Sequence, residues 1–273
     1  MKIDLSTAVG LLAGIAIVII SIIGIKGDLY WFVSPYGILV VLGGTFSATL
    51  VNYPMKNILS LFQVVKNVFT SESYEYQTVI EEIVNKAEMA RKKGVASLEN
   101  ELDKIDDKFL RNGIELAINE RDSKRLRTFL ALEMDNIERR HTSGQEIFFY
   151  MGAYAPAFGM LGTIMGLIIM MHTFGGEQTA MGMDAMTFDI SEKFAKLLKG
   201  MGMALITTFY GVLLSNLVFL PIGGKLKRKS EDELMLRNII VEGIMSIHAK
   251  EHPILIKEKL MTFVQESKRP DKE

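Results

Sequence analysis

Cysteine is absent from this chain of 273 residues. That removes a disulfide framework, a thiolate metal site and a cysteine nucleophile from consideration. Histidine is scarce: His141, His172, His248 and His252 are the only four, and their spacing matches no metal-ligand motif. A Walker loop, a His-Glu-x-x-His and a Gly-x-Ser-x-Gly are all missing, so the expectation is a chain that is not an enzyme and uses no cofactor or metal. Net charge is nearly absent too, at -1, with 31 Lys and Arg against 32 Asp and Glu. Such a balance leaves no basic footprint for nucleic acid.

The most informative shortage is local. Hydrophobic residues make up 49% of the chain and charged ones 23%, so the two kinds must be segregated. Four runs hold no Asp, Glu, Lys or Arg: 5–25, 29–53, 147–173 and 200–224. Each is long enough to cross a bilayer as a helix at about 1.5 Å per residue. The first is too long and lacks the small-x-small site of a signal peptide. It carries Gly10 and Gly14 as a contact notch, and the turn Lys26-Gly27-Asp28 joins it to the second run as a hairpin. Tyr30, Trp31 and Phe32 mark one water–lipid boundary.

Between the second and third runs the character reverses. Residues 54–146 are dense in charge, with helical apolar faces at Ile80, Ile83, Val84 and Ala87, and at Leu126, Phe129, Leu130 and Ile137. Four or five helices are expected, broken near Ser71–Ser73, Gly94, Asp106–Asp107 and Asp122–Ser123, the last continuing into the third span. The fold class is all-α: a polytopic membrane protein with four transmembrane helices and a cytoplasmic helical insertion. Its parts are a first hairpin (1–53), the insertion (54–146), a third span (147–173), an outer loop (174–199), a fourth span (200–224) and a helical tail (225–273) interrupted by Pro253. Phe188, Phe194, Leu197 and Leu198 predict a short interfacial helix in the outer loop.

Orientation follows from Lys and Arg near the span ends. Lys56, Lys66, Arg139 and Arg140 flank the insertion, and Lys225, Lys227, Arg228 and Lys229 follow the fourth span. Both termini are therefore expected in the cytoplasm, with 26–28 and 174–199 outside. Lys193, Lys196 and Lys199 run against this assignment.

The third and fourth spans share a design. Ala155, Gly159, Thr163 and Gly166 step along one face of the third, which also carries Pro156 and Gly162. Gly200, Ala204, Thr208, Gly211 and Ser215 do so along the fourth. Small residues let membrane helices approach closely. The two threonines are open to two readings: they line a narrow polar path, or they bond backbone within a packed contact. Met160, Met165, Met170 and Met171 read as adaptable packing. With no ionisable group at depth in any span, either the chain transports nothing or a partner supplies the carboxylate.

Pro156-Ala-Phe-Gly, Thr208-Phe-Tyr-Gly-Val-Leu-Leu with Pro221, and Arg91-Lys-Lys-Gly-Val-Ala-Ser-Leu-Glu99 in the insertion together carry a resemblance that covers essentially the whole chain. It resembles the MotA family, the larger stator subunits of the bacterial flagellar motor. The resemblance implies a homo-oligomeric ring, a pentamer, in the lipid of the bacterial cytoplasmic membrane. A MotB-like subunit with a membrane aspartate would sit inside it, and the rotor protein FliG would receive the torque. It further implies that Thr163 and Thr208 lie on the ion pathway, that Pro156 and Pro221 are coupling hinges, and that Arg91 and Glu99 meet the rotor. The proline alternatives are a kink for fit at Pro156 and a simple helix end at Pro221. The alternative reading of Arg91 and Glu99 is as solvated surface charges. ExbB and TolQ, energising channels of the cell envelope, share the last two spans and supply the alternative function.

Overall fold

The computed structural model describes residues 2–71, 75–176 and 190–264. The chain divides into two compact units: Met1–Ser71 with Ser143–Leu226, and Glu72–Thr142 with Lys227–Glu273. The division falls inside two long helices, so each unit is described by itself.

The first unit holds the apolar runs. Helix α1 (Leu5–Gly24) is 20 residues long, about the 30 Å of a hydrocarbon core. Asp4 caps it, accepting from the amides of Ser6 and Thr7 at 3.1 and 3.3 Å. Ile22 is the one buried residue of α1, which leaves most of its apolar side chains exposed for lipid or another chain. Of the expected notch, a Cβ added at Gly14 would meet Leu217, whereas one added at Gly10 would meet nothing within 4 Å.

The second span is segmented. A 3-10 turn (Leu29–Phe32) capped by Asp28 precedes α2 (Pro35–Ile38), a π-helical turn (Leu39–Gly43) and α3 (Gly44–Asn52). Pro35 stands at the first helical position behind the Ser34 cap, where its missing N–H costs nothing. A π turn loosens the ladder, and the Thr45 hydroxyl takes the Val41 carbonyl at 2.6 Å. Helix α4 (Met55–Val68) follows, its Leu61 buried with Val41, Ile147, Phe148, Met151, Ala155 and Phe219. This helix was expected in the inserted domain; its apolar stripe instead packs it into the first unit. Behind it, β2 (Thr70–Ser71) pairs antiparallel with β1 (Lys2–Ile3), a two-residue ribbon in an otherwise helical fold.

The second unit is a helical bundle. Helix α5 (Tyr76–Lys93) stops at Gly94, whose φ of 87° is a backbone region that a side chain would strain. A 3-10 run (Val95–Lys104), α6 (Lys108–Asn119) and the first part of α7 (Ser123–Gly176) follow. The breaks at Gly94, Asp106–Asp107 and Asp122–Ser123 fall as expected, Ser73 of the first expected break lies outside the described residues, and α7 runs unbroken from the insertion into the third apolar run. Ile80, Ile83, Leu98, Leu110, Ile114, Leu126 and Leu130 form the core. Phe129 departs from its predicted face and stays half exposed, because the core-facing turn already holds Leu126 and Leu130.

The remaining helices are α8 (Ile190–Leu213), a second π turn (Leu214–Phe219), α9 (Leu220–His248) and α10 (Pro253–Met261). Ile239, Ile240 and Ile244 of α9 and Ile256 and Leu260 of α10 complete the core of the second unit. The tail is therefore a structural part of the inserted bundle. Phe194, Leu197 and Leu198 lie in the first turns of α8 with no separate helix of their own, and Phe188 lies outside the described residues. Pro253 opens α10 and so interrupts the tail as read.

Four helical stretches among the described residues are long and apolar enough to cross a membrane: Leu5–Gly24, Leu29–Asn52, Ser123–His172 and Leu197–His248. The chain is an all-α, multi-pass membrane protein.

Candidate ion path between the third and fourth spans

The two small-residue stripes meet. A Cβ on Gly159 would lie 2.9 Å from the Thr207 carbonyl and 3.2 Å from the Thr208 Cα; one on Gly211 would lie 2.6 Å from the Ala155 carbonyl. Backbones of α7 and α8 are thus in direct contact, which larger side chains would forbid. Ala155 and Ala204 are buried in the same seam.

Thr163 and Thr208 are brought together at this contact. Their hydroxyl oxygens are 2.5 Å apart, a hydrogen bond in which either can donate. Gly159 and Ala204 offer carbonyls to Thr163 at 3.2 and 3.1 Å, and Gly159 offers the same carbonyl to Thr208 at 3.4 Å. The backbone bonding expected of a packed contact is thus present, and the two hydroxyls also bond each other across the helices. Both remain half-buried, and Thr208 opens onto a groove of about 480 Å³ lined by Gly14, Val18, Val212, Asn216 and Leu217. The walls are mostly apolar, with Thr208 and Asn216 the polar residues among them.

Pro156 sits in α7 without ending it, half-buried and against Gly211, whose added Cβ would lie 3.1 Å from the Pro156 Cα. Pro221 does not end its helix either. It is the second residue of α9, exposed, and is separated from the π turn Leu214–Phe219 by Leu220 alone. Proline lacks the N–H that would hold the carbonyl four residues back, here Leu217, and a π turn is one way a helix absorbs that loss.

Arg91 and Glu99 belong to the other unit. Both are exposed, on either side of the Gly94 corner, with Leu98 between them anchored in the core. No described group of His, Asp and Glu has the makings of a metal site.

Three contributors were not read from the sequence. Thr207 is buried and bonds the Ala204 carbonyl at 2.7 Å. Tyr210 accepts from the Ser34 amide at 2.9 Å and donates to the Phe32 carbonyl, so it fixes the broken start of the second span. Asn216 lines the groove while donating to the Val212 carbonyl at 3.0 Å. Only the position of Tyr210 in the Thr208-Phe-Tyr-Gly motif hinted at a role, and its partners Phe32 and Ser34 are distant in sequence.

Comparison with known proteins gives a consistent result. Residues 101–239, half of the chain, match the profile of the MotA/TolQ/ExbB proton channel family. Motility protein A of Borreliella burgdorferi is 33% identical over 86% of this chain and 83% of its own length. Chemotaxis protein PomA of Vibrio alginolyticus is 32% identical, with 97% of each chain covered. The structure of the flagellar MotAB stator complex from Bacillus subtilis superposes with a TM-score of 0.80 at 27% identity, covering 95% of this chain and 96% of that one. The structure of C. jejuni MotAB has the same fold, at a TM-score of 0.85 and 20% identity, with 99% of each chain covered. By profile, by near full-length identity and by fold, the chain belongs to the MotA/TolQ/ExbB proton channel family.

Proposed function

We infer that this chain, a stator subunit of the bacterial flagellar motor, conducts ions only when a second membrane protein completes its channel. The observation that carries this is the polar pair Thr163–Thr208, which is set in a seam of Gly and Ala with no ionisable side chain beside it. Two hydroxyls and three carbonyl contacts are meagre compensation for a desolvated cation. A partner helix bearing an aspartate, of the MotB kind, supplies the missing charge. Each threonine can then exchange its neighbour's hydroxyl for the carboxylate or a passing ion.

In this reading several copies form a ring in the cytoplasmic membrane, with the uncovered surface of α1 against lipid. Both termini and the second unit are cytoplasmic, as the Lys and Arg flanking the spans favour. Pro156 and Pro221 mark where the α7–α8 seam yields to ion movement. Arg91 and Glu99 present opposite charges to a rotor protein of the FliG kind. Near full-length similarity to motility proteins favours a rotor as the target over an envelope process of the ExbB or TolQ kind.

Purified chain in liposomes tests the shared channel. It should assemble yet pass no protons or sodium under an imposed gradient. Co-reconstitution with an aspartate-bearing partner should create flux, and changing that aspartate to asparagine should remove it. Ion-selective flux from the chain by itself would overturn the reading.

A further inference from the structure

Hydroxyls in the apolar helices mostly bond their own backbone. Ser21 donates to the Ile17 carbonyl, Thr45 to Val41, Thr49 to Thr45, and Thr207 to Ala204. Ser215 does not. Its hydroxyl crosses to α7 and donates to the Gly152 carbonyl at 2.6 Å, and its side chain is buried.

That carbonyl is a special one. In an uninterrupted helix the amide four residues on would take it, and four residues after Gly152 stands Pro156, which has no N–H. In a water-free interior an unpaired carbonyl is costly, and only another protein group can relieve it. Ser215 is that group. At its other end, Ser215 is the second residue of the π turn Leu214–Phe219, the widened turn that ends two positions before Pro221. Pro221 in turn frees the Leu217 carbonyl inside the same turn. The two prolines, 65 positions apart, are therefore joined through one side chain: Pro156 frees Gly152, Ser215 takes it, and Ser215 belongs to the turn that accommodates Pro221. Gly211, one turn earlier, keeps α8 against Pro156 so that the bond can form.

We propose that Ser215 is a positioning residue for energy coupling, passing displacement of α7 at Pro156 into the π turn and Pro221. This rests on the reading above, that the chain turns ion flow into motion. It needs no contact between Ser215 and the ion. The hydroxyl makes the two spans shift together; without it, α7 can move while the start of α9 stays behind.

The test uses the assembled complex of the full chain with its membrane partner, and compares Ser215→Ala, Pro156→Ala and the double variant. Restoring the N–H at 156 makes the serine redundant for Gly152. Ser215→Ala should therefore lower the melting temperature by about 3 °C or more with Pro156 present, and by less than about 1 °C in the Pro156→Ala background. Ion flux should stay within about twofold of wild type while torque per unit flux drops about threefold or more. Ser215→Cys, similar in size but a weak donor, should fall between.

Equal melting shifts in both backgrounds would overturn the bond's dependence on Pro156. Torque, flux and membrane abundance falling in parallel would reduce Ser215 to a structural contact and overturn its positioning role, as would unchanged torque. A wild-type complex that conducts nothing is a separate result: it would remove the channel reading, and the coupling role with it.

Discussion

Lys225 holds its ammonium 2.5 Å from the carboxylate of Asp4, tying the foot of the fourth span to the first residue before α1. The same carboxylate caps α1, and the Asp4 amide bonds the Phe69 carbonyl at 2.9 Å, beside the β1–β2 ribbon. One residue, through its side chain and its backbone amide, thus joins three segments of the first unit. This matters because α1 is otherwise held by little: Ile22 is its one buried residue, and Gly14 lies against Leu217.

The hydrogen bond from Lys225, followed by that from Ser6, holds the Asp4 carboxyl well below the usual carboxylate range. A carboxyl depressed on folding stabilises the native state above its unfolded pKa, near 3.9, and loses that contribution as pH falls towards the folded value. Melting of the purified chain in detergent should therefore show this pair's full contribution at pH 5 to 8. Asp4→Asn keeps the helix cap and removes the ion pair, and Asp4→Ala removes both. Losses of about 1–3 kcal/mol and about 1 kcal/mol more are expected at neutral pH. The gap between wild type and Asp4→Asn should shrink below about pH 4, and a gap constant to pH 2 would contradict the pair.

Thr208→Val keeps the shape of the seam and removes one of its two paired hydroxyls. A hydrogen bond to a charged group is worth about 1.5–3 kcal/mol, so ion flux should fall about tenfold to a hundredfold. Assembly with the partner, measured by co-purification, should be unaffected. Thr163→Val should act in the same direction, and the double variant less than additively, because the two share one bond. Normal swimming of the Thr208→Val strain would sink the assignment.

Gly211→Ala places a methyl 2.6 Å from the Ala155 carbonyl, with only backbone to give way. The cost should be about 1–3 kcal/mol, seen as a lower melting temperature and weaker assembly. Gly202→Ala on the same helix meets nothing within 4 Å and serves as the control, with no loss expected. Similar effects of the two would argue against the α7–α8 contact.

Charge reversal at Arg91 or Glu99 should lower torque several-fold while leaving membrane insertion, melting temperature and ion flux unchanged. Both side chains are exposed and outside the core, so no stability cost is expected. A reversed charge on the rotor should restore part of the torque. Failure of every such pairing would count against direct electrostatic contact.

The four spans, the breaks at Gly94 and Pro253 and the continuity of α7 were legible in the residues alone. Each rests on local physics: uncharged runs of bilayer length, a glycine at positive φ, a proline at a helix start. The small-residue stripes were legible too, because helical spacing fixes which side chains share a face. Their partnership was decided by the fold. Whether Ala155, Gly159 and Thr163 met Ala204, Thr208 and Gly211, or lipid, depends on how helices far apart in sequence dock, and periodicity carries no information about that. The same limit hid α4, whose charges read as part of the insertion while its apolar stripe packs on Val41 and Phe148. It hid Ser215 most completely. In sequence it is one more small residue in a stripe; its role exists only because Pro156, 59 positions earlier, frees a carbonyl that the folded chain sets within reach of its hydroxyl.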